Sequence, residues 1–456
     1  MEAEIMDVDV MIAVDAVPTK DALENRFVEA FELFAETRTN ESESALSGFR
    51  DVAFANFVKS GFPATKSEAW KYTNVRKKLG RGFQISPHTP QTNLTHEDLA
   101  SFAIEGLNAC RLVLINGCFV KALSTSAPEH VTVASLQDAA DGGVFGEHLG
   151  RYADAMHDGF IALNTAFLGE GLALHVPRGK TAGKPIHILN IAVGEDQFIQ
   201  PRLLVVVEDG AELDVIETQH TVGTGSIFLN SVVEAFVGAR GRLDYFRLQD
   251  GGETASAVNN ANFYQQESSH ASCTTITLSG DMIRNNVVMH PDGEHCESHL
   301  FGLFLGNADL HIDNHTLVDH ARPNCYSNEL YKGVLDGESK GVFNGRVLVR
   351  RDAQKTNAYQ SNKTIVLSDR ASMNAKPELE IYADDVKCSH GATTGRLDDE
   401  AMFYLRSRGL SPDRARRLLL LAFVRDVLES VRLAPLRNHV DLLVQHHMGG
   451  DRDPSS

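Results

Sequence analysis

From about residue 172 to about residue 386 the chain is written as short runs in which apolar and polar residues alternate, separated by Gly, Asn and Asp. Ala211, Leu213 and Val215 alternate with Glu212 and Asp214; Leu243 and Tyr245 with Arg242 and Asp244; Leu379, Ile381 and Ala383 with Glu378, Glu380 and Tyr382. A period of two is that of a β-strand with one face buried. The better runs recur about every 30 residues, and turn signals such as Asp209-Gly210, Gly306-Asn307 and Asp336-Gly337 precede many of them. This spacing suits the coils of a degenerate β-solenoid, while a sandwich or several barrels would leave a similar pattern.

The two ends of the chain carry a different period. Leu23, Phe27, Ala30, Phe31 and Phe34 recur at three and four, and Leu46, Phe49, Val52, Phe54 and Phe57 continue the pattern, so helices are expected over 22–37 and 45–58. The stretch 86–90, SPHTP, reads as a linker, and RLVLINGCFV at 111–120 as the first strand-like run. Near the other end Asp398 is placed to cap a helix closed by Gly409. Ser411, Pro412 and Asp413 form a second start signal, after which Leu418, Leu419, Ala422, Phe423 and Leu428 make an apolar stripe, for core packing or for a partner. The expected organisation is an acidic, disordered tail over 1–20, an N-terminal helical domain and linker over 21–110, a mainly β core over 111–390 and a C-terminal helical domain over 391–456.

A chain of 456 residues exceeds the usual limit of about 250–300 for a single core, unless an elongated repeat dominates. With 43% hydrophobic and 23% charged residues and no long apolar run, membrane integration is not expected. Acidic residues without Lys or Arg in the first fifteen positions oppose a signal or transit peptide and favour the cytoplasm. Six cysteines without a C-x-x-C pair suit a reducing compartment. A net charge of −18 repels nucleic acid, although eight arginines from Arg406 to Arg437 make that segment locally basic.

One stretch concentrates chemistry. Lys387–Gly395, KCSHGATTG, sets a thiol and an imidazole two residues apart, and residues at i and i+2 of an extended chain share a face. Cys388 and His390 can therefore address one metal or sulfur species as half of a four-ligand site. The plain alternative is a small buried cysteine beside a hydrogen-bonded loop histidine. A second group, His290, His295, Cys296, His299, His311, His315, His320 and Cys325, crowds 290–325 without any H-E-x-x-H pattern. A stand-alone metal-dependent enzyme built on this group is the rival reading. No Walker A or Rossmann glycine pattern and no G-x-S-x-G elbow is present. Adjacent Asp384 and Asp385 on a strand face opposite ways, which makes a poor glycosidase pair, and Trp70 is the sole tryptophan.

The runs SNELYKGVLDGESKGVFNGRVLV from 327, AQKTNAYQSNKTIVLSDRA from 353 and KPELEIYADDVKCSHGATTGRLDDEAMFYLRSRGL from 376 resemble the SufB/SufD family of iron-sulfur cluster assembly proteins. The C-S-H-G-A-T-x-G form, and KSEAWKYT at 66–73, are similar to its SufD branch. The resemblance covers about residues 20–435 and implies a right-handed parallel β-helix core flanked by N-terminal and C-terminal helical domains. It implies a non-catalytic scaffold subunit of a SUF (SufBCD) complex. A SufB-like paralogue would pair through the last coils, about 363–386, and a SufC-like ABC ATPase would bind the helices at about 398–434. His390, and after it Cys388, would be transient ligands to iron or a nascent cluster at the SufB interface. The expected cofactor is thus a transient iron-sulfur cluster shared with SufB. No stably bound group is expected in the isolated chain, and a reduced flavin would join only at the level of the complex. A homodimer of the isolated chain stays open.

Overall fold

The structure is a computed structural model and describes residues 22–37, 45–85, 94–139 and 142–449. The tail expected over 1–20 and the linker expected at 86–90 lie outside the described residues.

Two long parallel sheets form the body. One sheet runs from Leu172–Val176 through Arg202–Val207, Ile227–Val237, Ala255–Gln265, Met282–Pro291, His311–His320 and Lys340–Val349 to Ser372–Ile381. The other runs from Cys110–Ile115 through Ile186–Val193, Glu212–Val222, Arg242–Gln249, His270–Thr277, Glu297–Gly306, Tyr326–Leu335 and Asn357–Val366 to Lys387–Gly395. In this run the chain visits the two sheets in turn, so each stacked strand is the next coil of a β-solenoid of about eight turns. The paired residues Glu212, Arg242, His270, Glu297, Tyr326, Asn357 and Lys387 advance by 27 to 31 residues per coil, the spacing visible in the sequence. The first strand-like run divides at Asn116-Gly117, whose φ values of 50° and 82° turn Cys110–Ile115 back onto the short antiparallel strand Cys118–Phe119. Both residues tolerate the left-handed region that such a hairpin demands. Within the stretch read as β core, the structure also places short helices at Leu136–Ala139, Gly143–His148 and Gly159–Ala166.

Inward-facing positions are mostly Val, Leu, Ile, Phe and Ala, but the interior also holds stacked polar groups. Asn259, Asn285 and Asn314 occupy one register position on consecutive coils. Gln249 donates to Asn285 at 3.0 Å and Asn285 to Asn314 at 3.1 Å. Repetition of the same residue one coil up gives the Asn259 and Asn285 amide groups partners, which otherwise would be costly to bury.

Helices cover the outer faces. Ala22–Thr37 and Ala45–Ser60, as read from the 3–4 spacing, bury Phe27, Phe31, Phe34 and Phe57 with Trp70 against Phe160, Phe198 and Phe228 of the body. On the other sheet, Pro412–Ser430 and Ala434–His447 lay Leu420, Val424, Val427, Leu428, Leu436, Val440 and Val444 on Phe246, Leu248, Ile276, Leu303 and Val334. Each fully buried side chain of this kind contributes about 1.5–3 kcal/mol. The coverage ends where the outward column Leu248, Ile276, Leu303 continues as Lys332, Lys363 and Thr393. Lys332 reaches Asp426 at 2.5 Å and the Phe423 carbonyl at 2.6 Å, closing that helix against the sheet, while Lys363 is exposed.

Candidate functional site

Lys387–Gly395 is the last strand of its sheet and pairs with Asn357–Val366, Cys388 opposite Ala358 and His390 opposite Gln360. Ala358 and Gln360 are buried and face into the solenoid, so the strand's alternation aims Cys388 and His390 along the same interior columns. Among the described residues no further strand stacks on them. The coil axis ends there, leaving His390 exposed and Cys388 half-buried. Cys388 packs beside Val347, Val349, Ala358 and Ala383, and this burial pushes its thiol pKa up. The thiol is therefore protonated at neutral pH and serves as a ligand only when a metal displaces its proton. The imidazole of His390 meets solvent directly.

One column runs inward from this end. Gln360, under His390, donates to Glu329 Oε2 at 2.9 Å, and Thr316 donates to Glu329 Oε1 at 2.5 Å. Glu329 is fully enclosed, and burial pushes its carboxyl up to about 7 in spite of those two donors. An unfolded glutamate ionises near 4.3. The folded chain thus keeps a proton that the unfolded chain releases, and stability falls as pH rises from about 4.3 to about 7. Glu329→Gln is expected to match the wild type near pH 4 and to be more stable at pH 8 by on the order of 3 kcal/mol. Denaturant midpoints measured across that range check it; a gap independent of pH would refute the assignment.

The group at 290–325 does not form one centre, because neighbours in sequence fall on different strands and faces. His290 pairs with Asp319 at 3.2 Å, His315 with Asp313 at 2.9 Å, His311 with Thr73 at 2.8 Å and the buried His320 with Ser327 at 2.9 Å. His295 sits on an exposed turn with φ of 60°, and Cys296 and Cys325 are buried, each donating to the Gly293 carbonyl at 3.2 Å. The eight residues therefore do not act together as one ligand set. Asp385 is exposed and paired with Lys355. One member, His299, does meet two ligand residues from outside the group's pattern, His270 and Glu297.

Beyond the last strand, Asp398 caps Asp399–Ser407 by accepting from the Glu400 and Ala401 amides, and Gly409 follows it with φ of 94°. Ser411 caps Pro412–Ser430 by accepting from the Arg414 amide. The expected stripe is corrected: Leu428 is buried, but Leu418 is 48% exposed, Ala422 is exposed and Leu419 and Phe423 are only partly covered. The buried face is instead Ala415, Leu420, Val424, Val427 and Leu428. Asp399–Ser407 buries none of its residues, and Phe403 and Tyr404 stand 75% and 57% exposed. Leu418, Ala422, Arg425, Glu429 and Arg437 line a groove of about 780 Å³ alongside the two last helices.

The family model for the SUF system FeS cluster assembly SufBD core domain matches residues 190–423, and that for the SufBD protein N-terminal region matches 21–188. An iron-sulfur cluster assembly SufBD family protein of Synechocystis is 30% identical over 444 residues, 92% of this chain and 96% of its own. The iron-sulfur cluster assembly protein SufD of Escherichia coli is 28% identical over 84% of this chain and 88% of its own. The chloroplastic protein ABCI7 of Arabidopsis thaliana is 28% identical over 88% of this chain and 86% of its own.

Proposed function

Because the chain belongs to the SufBD family of SUF-system iron-sulfur cluster assembly proteins, we propose that it is a non-catalytic scaffold subunit whose terminal coil supplies half of a cluster-building site. The observation that carries this reading is the position of His390 and Cys388 at the uncovered end of the solenoid, in register with the inward-facing Gln360 and Ala358. The nascent cluster is cargo. His390 offers a borderline nitrogen and Cys388, once deprotonated by the metal, a soft thiolate; a SufB-like paralogue completes the ligand set. A site split between two chains and built of mixed donors holds its cluster weakly enough to hand it on.

Two surfaces fit the expected partners. The strands Ser372–Ile381 and Lys387–Gly395 are the last of their sheets, with Ile381 and Tyr382 exposed beside them. Unpaired parallel edges of this kind recruit another sheet, which supports docking of the SufB-like paralogue at 363–386. The exposed Phe403, Tyr404 and Leu418 supply the apolar face for a SufC-like ATPase at 398–434, where the ATP hydrolysis would reside. Among the described residues no helix is long and apolar enough to cross a membrane. All six cysteines are free, in keeping with a reducing compartment such as the cytoplasm.

Anaerobic co-expression with both partners tests the reading: iron and sulfide are expected in the three-component complex and not in this chain expressed alone. Retention of stoichiometric cluster by the single chain, or its absence from an assembled complex, would contradict it. Replacing both Phe403 and Tyr404 with Glu is expected to weaken capture of the ATPase at least tenfold while stability changes by no more than about 0.5 kcal/mol. Unaltered capture of the ATPase would move its docking surface elsewhere.

A further inference from the structure

On the outer face of the sheet that ends in Lys387–Gly395, three side chains from two neighbouring strands converge. His270 opens His270–Thr277, and Glu297 and His299 begin Glu297–Gly306; their ligand atoms all lie within 4.8 Å of one another. Register brings them together: His270 pairs directly with Glu297, and His299, two residues on, shares its face. His270 Nδ1 is 3.4 Å from Glu297 Oε2, and His299 Nε2 is 3.9 Å from the same oxygen. Ligand bonds of about 2.1 Å at tetrahedral angles put donor atoms about 3.4 Å apart, and a small rotation of Glu297, which is 59% exposed, brings its carboxylate to that spacing from both imidazoles.

The surroundings are built for one ring orientation. His270 Nε2 lies 3.5 Å from Asp244 Oδ1, leaving Nδ1 toward Glu297. Asp244 is itself fixed, by Ser272 on one oxygen and by Arg242 and Arg432 on the other. A carboxylate behind a ligating imidazole is the usual support of a metal-bound histidine. His299 is held between the rings of Phe301 and Tyr326, with centroids 6.0 and 5.7 Å away.

We infer that His270, Glu297 and His299 form a binding site for a divalent first-row transition ion, with the fourth position open to solvent. Two imidazoles and one carboxylate, without thiolate, favour ions such as zinc or ferrous iron over magnesium and calcium. The site is distinct from the terminal one. It lies three strands away, about 14 Å at the usual strand spacing, on the opposite face from Cys388 and His390. It does not depend on the scaffold reading.

The test uses the full chain, stripped of metal and titrated with Zn2+ against a chromophoric chelator. One equivalent is expected to bind the wild type. A His270→Ala/His299→Ala double variant is expected to bind at least tenfold more weakly, with its thermal midpoint without metal unchanged. Cys388→Ser/His390→Ala, with the terminal pair removed, is expected to bind as the wild type does, and millimolar Mg2+ or Ca2+ is expected not to displace the zinc. Zinc binding that survives the His270/His299 substitutions, disappears with Cys388 and His390, or yields to Mg2+ would overturn the assignment.

Discussion

Arg284→Ala is expected to destabilise the protein by about 3–5 kcal/mol and to loosen the segment 66–73 from the solenoid. Arg284 is almost wholly buried, and its Nη1 lies 2.7 Å from Asp313 Oδ2 on the next coil and 2.8 Å from the Ala69 carbonyl. Its guanidinium sits 3.8 Å over the ring of Trp70, which in turn stacks on Phe160. Asp313 also accepts from Thr73 at 2.5 Å. KSEAWKYT is thus a docking motif: its tryptophan and threonine are fastened by one ion pair on the sheet. Although burial opposes ionisation, Arg284, His315 and Thr73 hold the Asp313 carboxyl below the usual range. That contribution is complete above the unfolded value near 3.9 and is lost as pH falls below it. Without Arg284 a fully buried carboxylate loses its main partner, so the acid unfolding midpoint moves upward. Arg284→Ala/Asp313→Asn is expected to recover part of the loss, as coupled neighbours do. Denaturant unfolding of the wild type, Arg284→Ala, Asp313→Asn and the double variant measures both effects; a loss under about 1 kcal/mol in Arg284→Ala would refute the account of this dock.

His390→Ala is expected to leave the complex with the SufB-like and SufC-like partners assembled but to lower its iron and sulfide content at least tenfold. The assembly should survive because His390 is an exposed side chain on a terminal strand, where substitutions alter stability by no more than about 0.5 kcal/mol. The cargo should not, because the imidazole is the donor most open to a partner at the end of the coil. Cys388→Ser is expected to have a smaller effect. Its thiol is half-buried among Val347, Val349 and Ala383 and must first give up a proton that burial retains. Equal loss in both variants would make the thiol a full ligand; intact loading in both would reduce the strand to packing.

The β core was legible because its repeat is local, whereas the choice of a solenoid over a sandwich or several barrels rested on the family resemblance. Alternation over 212–215, 242–245 and 378–383 marks strands, and the near-30 interval suits a coil without excluding the other two arrangements. Helix caps at Asp398 and Ser411 were legible for the same reason, since a cap is decided by the residue and the next three amides. The interior polar groups were not. Alternation shows that two faces differ but cannot show that Asn259 donates to Asn285 and Asn285 to Asn314, which depends on register. The buried face of Pro412–Ser430 is not legible, because leucines fill 418–421 in succession and the choice between core and partner is left to what the sheet presents. The grouping of ligands was the least legible feature. On a coil, proximity follows the repeat, so His290 and His295 separate while His270 and Glu297, 27 residues apart, are paired. The signal that the sequence does carry is the recurrence of ligand-type residues at the coil interval of 27–31.

The most direct measurement is pulsed EPR of the reduced cluster in the anaerobically purified complex, with 15N-histidine incorporated into this chain alone. The account predicts a 15N hyperfine coupling in the wild type that disappears from the residual cluster of His390→Ala. A cluster of normal occupancy with no histidine coupling from this chain, or a coupling that persists in His390→Ala, would contradict it.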